Sequence, residues 1–390
     1  MIQKLLQPDI QKLISEHYKS DPDQLRLAWS KIPDFPVHEV VDQIVSKRKA
    51  EGKIPGLMKK SIIYPPPLSM EQCSSETTAL YKSSLISGTT SADLTGGAGI
   101  DSMFLSKKFA DFTYIESDKW LSQIASHNFK IWGAANIRVI NTSAESFISS
   151  TKKMFDLIYL DPSRRKDGNR VFRFADTQPN VIELVPQLIQ ITQSLLIKAS
   201  PLIEIKQAIY DLQKVHKVWI IALKNEVKEV LFQLKNLARP DPEIEAIDLV
   251  NDSDSFVFRK SEEESAKPNW KLPEPGDFLY DPNKAIIKSG AFNLLSERYN
   301  VSKYGDNTHL YSSRKIISFP GRVFQILQII TGSSKRDLKL KEVDIISKNY
   351  SLQASEIQKR FRTRPGNGTQ FLIGAGRGKD ARLMLCHRRS

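Results

Sequence analysis

The sequence predicts an α/β protein built on a doubly wound parallel sheet, with a helical region before it and a basic α+β region after it. Three observations predict this. From Thr90 onward, short apolar runs alternate with amphipathic stretches, the pattern of βα units around a parallel sheet. Before that point, Ile2, Leu5, Leu6, Ile10, Leu13 and Ile14 recur at threes and fours, the spacing of one helix face. After it the charge balance shifts. Residues 320–390 hold fifteen Lys and Arg against five Asp and Glu, which accounts for most of the chain's net +13.

A second helical stretch runs from His38 to Glu51. Pro65-Pro66-Pro67 closes this region, because consecutive prolines cannot sit inside a helix. Strands are expected at 91–94, 112–116, 137–141, 155–160, 194–198, 217–223 and 255–259, which makes a seven-stranded domain. Helices are expected between them, at 100–108, 119–132, 181–191 and 203–214. The segment Ser261 to Pro275, rich in charge and proline, reads as a linker or domain edge. Beyond it, apolar runs at 316–319, 323–330 and 371–374 suggest a separate α+β unit. The expected domains are therefore 1–70, 71–262 and 275–390.

A chain of 390 residues exceeds what one hydrophobic core usually supports. With 40% apolar and 26% charged residues, it is not a disordered polyelectrolyte. No run approaches the roughly 20 apolar residues that cross a bilayer, and the acidic N-terminus lacks a leader's cleavage site, so the expected location is cytoplasmic. Cys73 and Cys386 stand 313 positions apart and imply neither a disulfide framework nor a metal cluster. The six histidines show no metal-ligand spacing, and no metal is expected. The basic balance points to a polyanionic partner.

The sharpest motif is Asp93-Leu94-Thr95-Gly96-Gly97-Ala98-Gly99-Ile100-Asp101, a glycine-rich turn between an expected strand and an expected helix. Glycine there permits positive φ and close approach of the backbone to a ligand. The spacings of a phosphate-binding P-loop and of a dinucleotide fingerprint are both absent. Glu116 ends the next apolar run, 23 positions after Asp93, where a carboxylate can take both hydroxyls of a ribose. Ser143-Ala144-Glu145 follows the third strand and would lie beside an adenine ring. The fourth strand ends in Asp161-Pro162-Ser163-Arg164, where an acid and a stiff turn can hold a planar substrate. Successive strand tips thus feed one crevice.

After Asp161 come Arg164, Arg165, Lys166, Arg170 and Arg173, interleaved with Phe172 and Phe174. Such cations can clamp phosphates, and an aromatic ring can stack on an extruded base. Near the C-terminus, Lys359, Arg360, Arg362 and Arg364 suit contacts to a nucleic-acid backbone, which set affinity but not sequence choice. The glycines from 374 to 378 read as a hairpin turn. Lys198 and Ser200 end the fifth strand and could line the substrate mouth.

Asp93-x-x-x-Gly97-x-Gly99, Glu116, Ala144-Glu145 and Asp161-Pro162-Ser163-Arg164 resemble the motifs of class I methyltransferases that modify nucleic acids. The resemblance implies a Rossmann-like domain that binds S-adenosylmethionine. Asp93, Thr95, Gly97, Gly99, Asp101 and Asp161 would run along the cofactor, with Glu116 at the ribose and Ala144 and Glu145 near adenine. Asp161, Pro162, Ser163 and Arg164 would form the catalytic loop. Two departures stand out: Thr95 replaces a frequent glycine, and Ser163-Arg164 stands where amino-methylating enzymes usually carry proline and an aromatic residue. The wider chain is similar to a bacterial family with a C-terminal THUMP-like domain, through Gln72 to Glu76, Tyr280 to Asn283, Thr308 to Tyr311 and Phe319 to Phe324. That likeness implies an RNA substrate, transfer or ribosomal. Carbon-5 methylation needs a cysteine nucleophile, and neither cysteine follows a core strand, so a base nitrogen is the expected target. The other expectation left open is a non-catalytic RNA-binding protein that retains the fold.

Overall fold

The computed structural model describes the chain except residues 60, 164, 167–168, 171–172, 238–239, 251–254, 331–340 and 390; at 165–166 and 169–170 it describes the backbone alone. The described residues divide into two compact units, 1–216 with 230–239, and 217–229 with 240–390.

In the first unit, helices α1 (Ile2–Leu5), α2 (Pro8–Glu16), α3 (Pro22–Trp29) and α4 (Val37–Lys53) precede α5 (Pro67–Gln72) and α6 (Glu76–Ser84). Pro67 occupies the first turn of α5, where the missing N–H costs nothing. The N-terminal helices bury Leu5, Ile10, Ile14, Val40 and Ile44 around Ile63 and Ile124. Two amide side chains clamp the segment between α4 and α5. Gln43 exchanges two 2.8 Å hydrogen bonds with the backbone of Tyr64, and Asn128 brackets Ile63 at 3.1 and 2.7 Å. Buried polar groups paired in this way fix register without an unsatisfied atom.

The sheet of this unit contains β1 (Thr90–Asp93), β2 (Asp111–Glu116), β3 (Ile137–Asn141), β4 (Phe155–Leu160) and β5 (Thr192–Ala199), all parallel. β1 is central, with β2 then β3 on one side and β4 then β5 on the other. The chain steps outward from β1 to β3, then returns past β1 to lay down β4. That reversal opens a crevice at the carboxyl ends of β1 and β4. α7 (Ile100–Leu105), α8 (Lys119–Trp132), α9 (Ala144–Ser150), α10 (Val181–Ile191) and α11 (Ile205–Leu212) make the crossovers. Their starts are fixed locally: Asp118 caps α8 through the Leu121 amide at 2.8 Å, and Ser143 caps α9 through the Ser146 amide at 3.1 Å.

Strands at all seven expected positions are present, but β6 (Val215–Leu223) is followed by an unanticipated β7 (Glu226–Leu234). Residues 230–234 of β7 run antiparallel along β5. The signal lies in the turn before it, where Lys224 and Asn225 both take positive φ, 55° and 58°. A second unanticipated strand, β8 (Glu243–Asp248), runs parallel to the 217–222 part of β6 and antiparallel to β9 (Phe256–Arg259). The stretch expected as a seventh methyltransferase strand is thus a strand of the second unit.

The second unit also contains β10 (Phe278–Pro282), β11 (Tyr311–Ser313), β12 (Gly321–Ile330), β13 (Asp344–Lys348), β14 (Gln370–Ala375) and β15 (Arg382–Arg388). They lie in the order β11, β10, β12, β15, β14, β13, with two-residue strands at 302–303 and 269–270 beyond β11. Leu279, Phe324, Ile326, Ile373, Met384 and Cys386 form its core. Burial pushes the Cys386 thiol up to about 12, which makes it an inert packing residue. The expected linker at 261–275 is corrected by the structure: its first residues lie in helix α12 (Lys260–Ser265). Glu263 accepts from the amides of Asn293 and Leu294 and so caps the start of α14 (Phe292–Arg298). Charge in this stretch serves packing. Among the described residues, no helix is long and apolar enough to cross a membrane.

Candidate active site

A cavity of about 490 Å³ opens in the first unit at the crevice, lined by Asp93, Gly97, Glu116, Ala144, Glu145 and Asp161 among others. All four strand-tip motifs singled out in the sequence meet there.

The glycine turn explains its own composition. A Cβ at Gly96 would lie 2.1 Å from the Tyr114 ring, so no side chain fits beneath the turn. Gly97 and Gly99 take φ of 54° and 75°, conformations costly for other residues. The Tyr114 hydroxyl donates to the Gly97 carbonyl at 2.8 Å, which pins the turn from below. Glu116 crosses it from the tip of β2: Oε2 accepts from the Gly97 amide and Oε1 from the Asp118 amide, each at 2.7 Å. Oε1 also accepts from the Ser117 hydroxyl at 3.3 Å, whereas Oε2 keeps a further acceptor position.

Thr95, a departure from the usual glycine, has a structural reason. Its hydroxyl accepts from the Asp161 amide at 2.6 Å and faces Asp93 Oδ1 at 3.4 Å. Thr95 therefore ties the tip of β1 to the tip of β4.

Asp93 is 1% exposed. Its Oδ1 accepts from the Thr95 amide at 3.0 Å and its Oδ2 from the Ser102 hydroxyl at 2.5 Å. Burial pushes its carboxyl up to about 7, against the opposing effect of those hydrogen bonds. Asp93, at the cavity wall, holds the turn in shape. Because the folded value exceeds the unfolded one, its contribution is fully present below about pH 4 and is lost as pH rises through about 7. Asp93→Asn, which is always neutral, is expected to flatten the fall in unfolding free energy across that window, a slope of up to about 1.4 kcal/mol per pH unit. Urea titrations at several pH values measure it; an unchanged slope would mean that Asp93 is ionised in the fold.

Asp101, expected along the cofactor, is the hub of a buried network. Lys82 Nζ lies 3.1 Å from Oδ1 and Lys198 Nζ 3.5 Å from Oδ2. Ser74 and Tyr159 donate to Oδ2 at 2.9 and 2.7 Å. Burial alone would raise this carboxyl, but the two ammonium groups outweigh it and hold Asp101 well below the usual carboxylate range. Lys198 also forms an ion pair with Asp161 at the cavity edge. The side chain of Lys198 is 1% exposed and that of Asp161 27%. Asp161 is therefore a positioned carboxylate, fixed by Lys198 through its side chain and by Thr95 through its amide.

Pro162 is buried and Ser163 exposed, with the Ser163 amide donating to the Gln178 carbonyl at 2.8 Å. Arg164 and Phe172 lie outside the described residues. Residues 165–166 and 169–170 form a short antiparallel pair. Arg173 is exposed. Phe174 is corrected: it is 2% exposed and packs edge-on against Phe232 at 5.5 Å, so it cannot stack on a base. Cys73 lines the cavity, where burial raises its thiol. In the second unit Lys359, Arg360, Arg362 and Arg364 are all exposed around the end of α15 (Ala354–Phe361). No cluster of three or more His, Cys, Asp or Glu suited to a metal occurs among the described residues.

Residues 278–320 match the model of a ferredoxin-like domain family, and residues 321–388 that of a THUMP domain-like family. No curated protein matches the chain. Over 100% of its length it is similar to the crystal structure of a candidate methyltransferase from Porphyromonas gingivalis W83, at 28% identity, 99% of that chain and a TM-score of 0.88. A Streptococcus thermophilus rRNA methylase shares 14% identity over 41% of this chain and 93% of its own, with a TM-score of 0.31. A candidate methyltransferase from Streptococcus mutans in complex with SAH shares 13% over 42% and 97%, with a TM-score of 0.32. The chain thus carries a class I methyltransferase fold followed by ferredoxin-like and THUMP-like domains.

Proposed function

We propose that the protein is an S-adenosylmethionine-dependent methyltransferase acting on RNA, transfer or ribosomal, at a base nitrogen. The observation that carries this reading is the convergence of the glycine turn, Glu116, Ala144-Glu145 and Asp161 on one cavity at the strand-order reversal. The donor set suits the cofactor. Glu116 Oε2 has an acceptor position left for a diol hydroxyl and Oε1 gains one when the rotatable Ser117 hydroxyl turns away, the turn leaves room for close approach to the 95–99 backbone, and Ala144 offers a small apolar contact for a flat ring.

When bound, the cofactor would supply a methyl group on a sulfonium. The chain's own task is then positional. Asp161, held by Lys198 and by Thr95, can accept a hydrogen bond from an amine and turn its lone pair toward the methyl group. Pro162 stiffens the same turn. The exposed cations at 173, 359, 360, 362 and 364, with those at 164–166 and 170, suit the backbone of an RNA.

The test is calorimetric binding of S-adenosylmethionine to the full chain and to Glu116→Ala, followed by transfer of labelled methyl to a mixed RNA pool. Saturable binding, weakened by about tenfold or more in the variant, is expected from loss of hydrogen bonds to a charged group. Absence of binding to the folded wild type would overturn the reading. Binding without transfer to any RNA would favour an RNA-binding protein on an inherited fold.

A further inference from the structure

The second unit holds a cation cluster that methyl transfer does not use. Asp281 lies on β10 and is 4% exposed. Its cross-strand partner on β12 is Arg322, whose Nη2 is 2.6 Å from Oδ2. Lys348, the last residue of β13, places Nζ 2.8 Å from Oδ1. The strands approach closely because position 321 is glycine; a Cβ there would lie 2.2 Å from the Asp281 carbonyl oxygen. Lys284, at the start of α13 (Lys284–Ser289), adds a third cation. Partial burial, then the charge of Lys348, lowers the value of its ammonium, and Arg322 adds to the effect. Lys284 forms no ion pair among the described residues.

A buried carboxylate needs one such partner for neutrality. Here three cations share one, and crowding cations is unfavourable unless an anion joins them. Two nitrogens point the same way: Arg322 Nε and, in the tautomer protonated there, His309 Nδ1 are buried donors with no hydrogen-bond partner. His309 takes a φ of 53° and stacks on Phe292 at 3.9 Å. A non-glycine residue keeps that backbone conformation only where its surroundings impose it. Burial, then the charges of Lys348 and Lys303, lower the value of the imidazole. The side chains of Arg322 and Lys348 remain 31% and 17% exposed, so a ligand can reach them.

We infer that Lys284, Arg322, Lys348 and His309 form a binding site for one phosphate group, contributed by the RNA backbone. A phosphate offers several acceptor oxygens and a full negative charge, which matches the two orphaned donors and the cation excess. The identity of the phosphate's owner rests on the RNA reading above; the site itself does not.

The experiment measures binding of a mixed transfer RNA pool to the full chain over a salt series, and of inorganic pyrophosphate by phosphorus NMR. Lys284→Gln is the clean variant, since its side chain holds no described partner, and Lys284→Glu is the stronger one. RNA affinity is expected to fall about three- to tenfold for the first and further for the second, with the slope of log K against log salt reduced by about one. Unchanged thermal unfolding would exclude a folding defect. Pyrophosphate binding that Lys284→Glu abolishes, with RNA affinity unmoved, would support the phosphate site and overturn its assignment to RNA. If both ligands are insensitive to Lys284→Glu, the site is overturned. Wild-type chain that binds no RNA would defeat the RNA reading instead, and S-adenosylmethionine binding on the same samples keeps the methyltransferase reading separate.

Discussion

Asp101→Ala is expected to destabilise the protein by about 3–5 kcal/mol, among the largest effects open to a single substitution here. The reason is what remains after the carboxylate is gone. The Lys82 side chain is 0% exposed and that of Lys198 1%, and both ammonium groups would lose their buried counter-ion. Lys198 would keep Asp161, whereas the Ser74 hydroxyl, 2.7 Å from Lys82 Nζ, is a neutral partner that does not replace the lost charge. Tyr159 and Ser74 would each lose an acceptor. A double-mutant cycle separates charge imbalance from lost packing. Lys82→Met in the Asp101→Ala background removes one charge of each sign, and should recover part of the loss. Urea unfolding midpoints provide the measurement, and a loss below about 1 kcal/mol would contradict the buried-hub account. The pH dependence has a definite sign. Asp101 is held low in the fold, so its contribution is present above the ordinary carboxylate value and is lost as pH falls below it. Asp93 behaves in the opposite sense, although only the glycine turn separates the two residues. One is buried with hydroxyl and amide donors alone, the other with two cations.

These contrasts mark the limit of what the sequence could reveal. The order and spacing of strand tips are local properties: each apolar run ends in a polar residue followed by a helix cap, and a parallel sheet must gather those ends at one edge. Glu116 and Asp161 were therefore legible, as was the basic surface at 359–364. Lys82 was not, because it sits in the last turn of α6 with no motif, and its burial follows from packing against a separate element that carries Asp101. Lys198 reads from the sequence only as a strand end that could line the substrate mouth; its ion pair appears when β5 lies beside β4 and brings it to Asp161. Phe174 misled for the converse reason. An aromatic among arginines has the composition of a base-stacking loop, but its ring is buried against Phe232 on β7, a strand that the sequence reading lacked. The linker expected at 261–275 failed similarly, since Glu262 and Glu263 look like solvated charge until Arg298 and the α14 amides appear as their partners. In each case the missing information was a long-range contact.

The position of Lys198 leads to the second large effect. If Asp161 is the carboxylate that orients the target amine, Lys198→Met should lower kcat for methyl transfer by about a hundredfold. Lys198 is a positioning residue in this account: it is almost fully buried and pairs with Asp161 at the cavity edge as well as with Asp101 behind it. A merely structural lysine would reduce the amount of folded enzyme and leave the kinetic constants of the remainder unchanged. A positioning lysine would lower kcat per folded molecule while S-adenosylmethionine affinity and the KM for RNA move little, because Glu116 and the cationic surfaces are elsewhere. Lys198→Arg keeps the charge and can still donate to Asp161, so it should recover much of what Lys198→Met loses, whereas Asp161→Asn should remain low whichever residue occupies 198. Equal kcat values for Lys198→Met and wild type, measured on folded protein, would leave Asp161 without a need for its partner. The Thr95 hydroxyl on the Asp161 amide and the Ser163 amide on the Gln178 carbonyl would still hold the loop, but they fix the backbone of the turn and not the direction of the carboxylate.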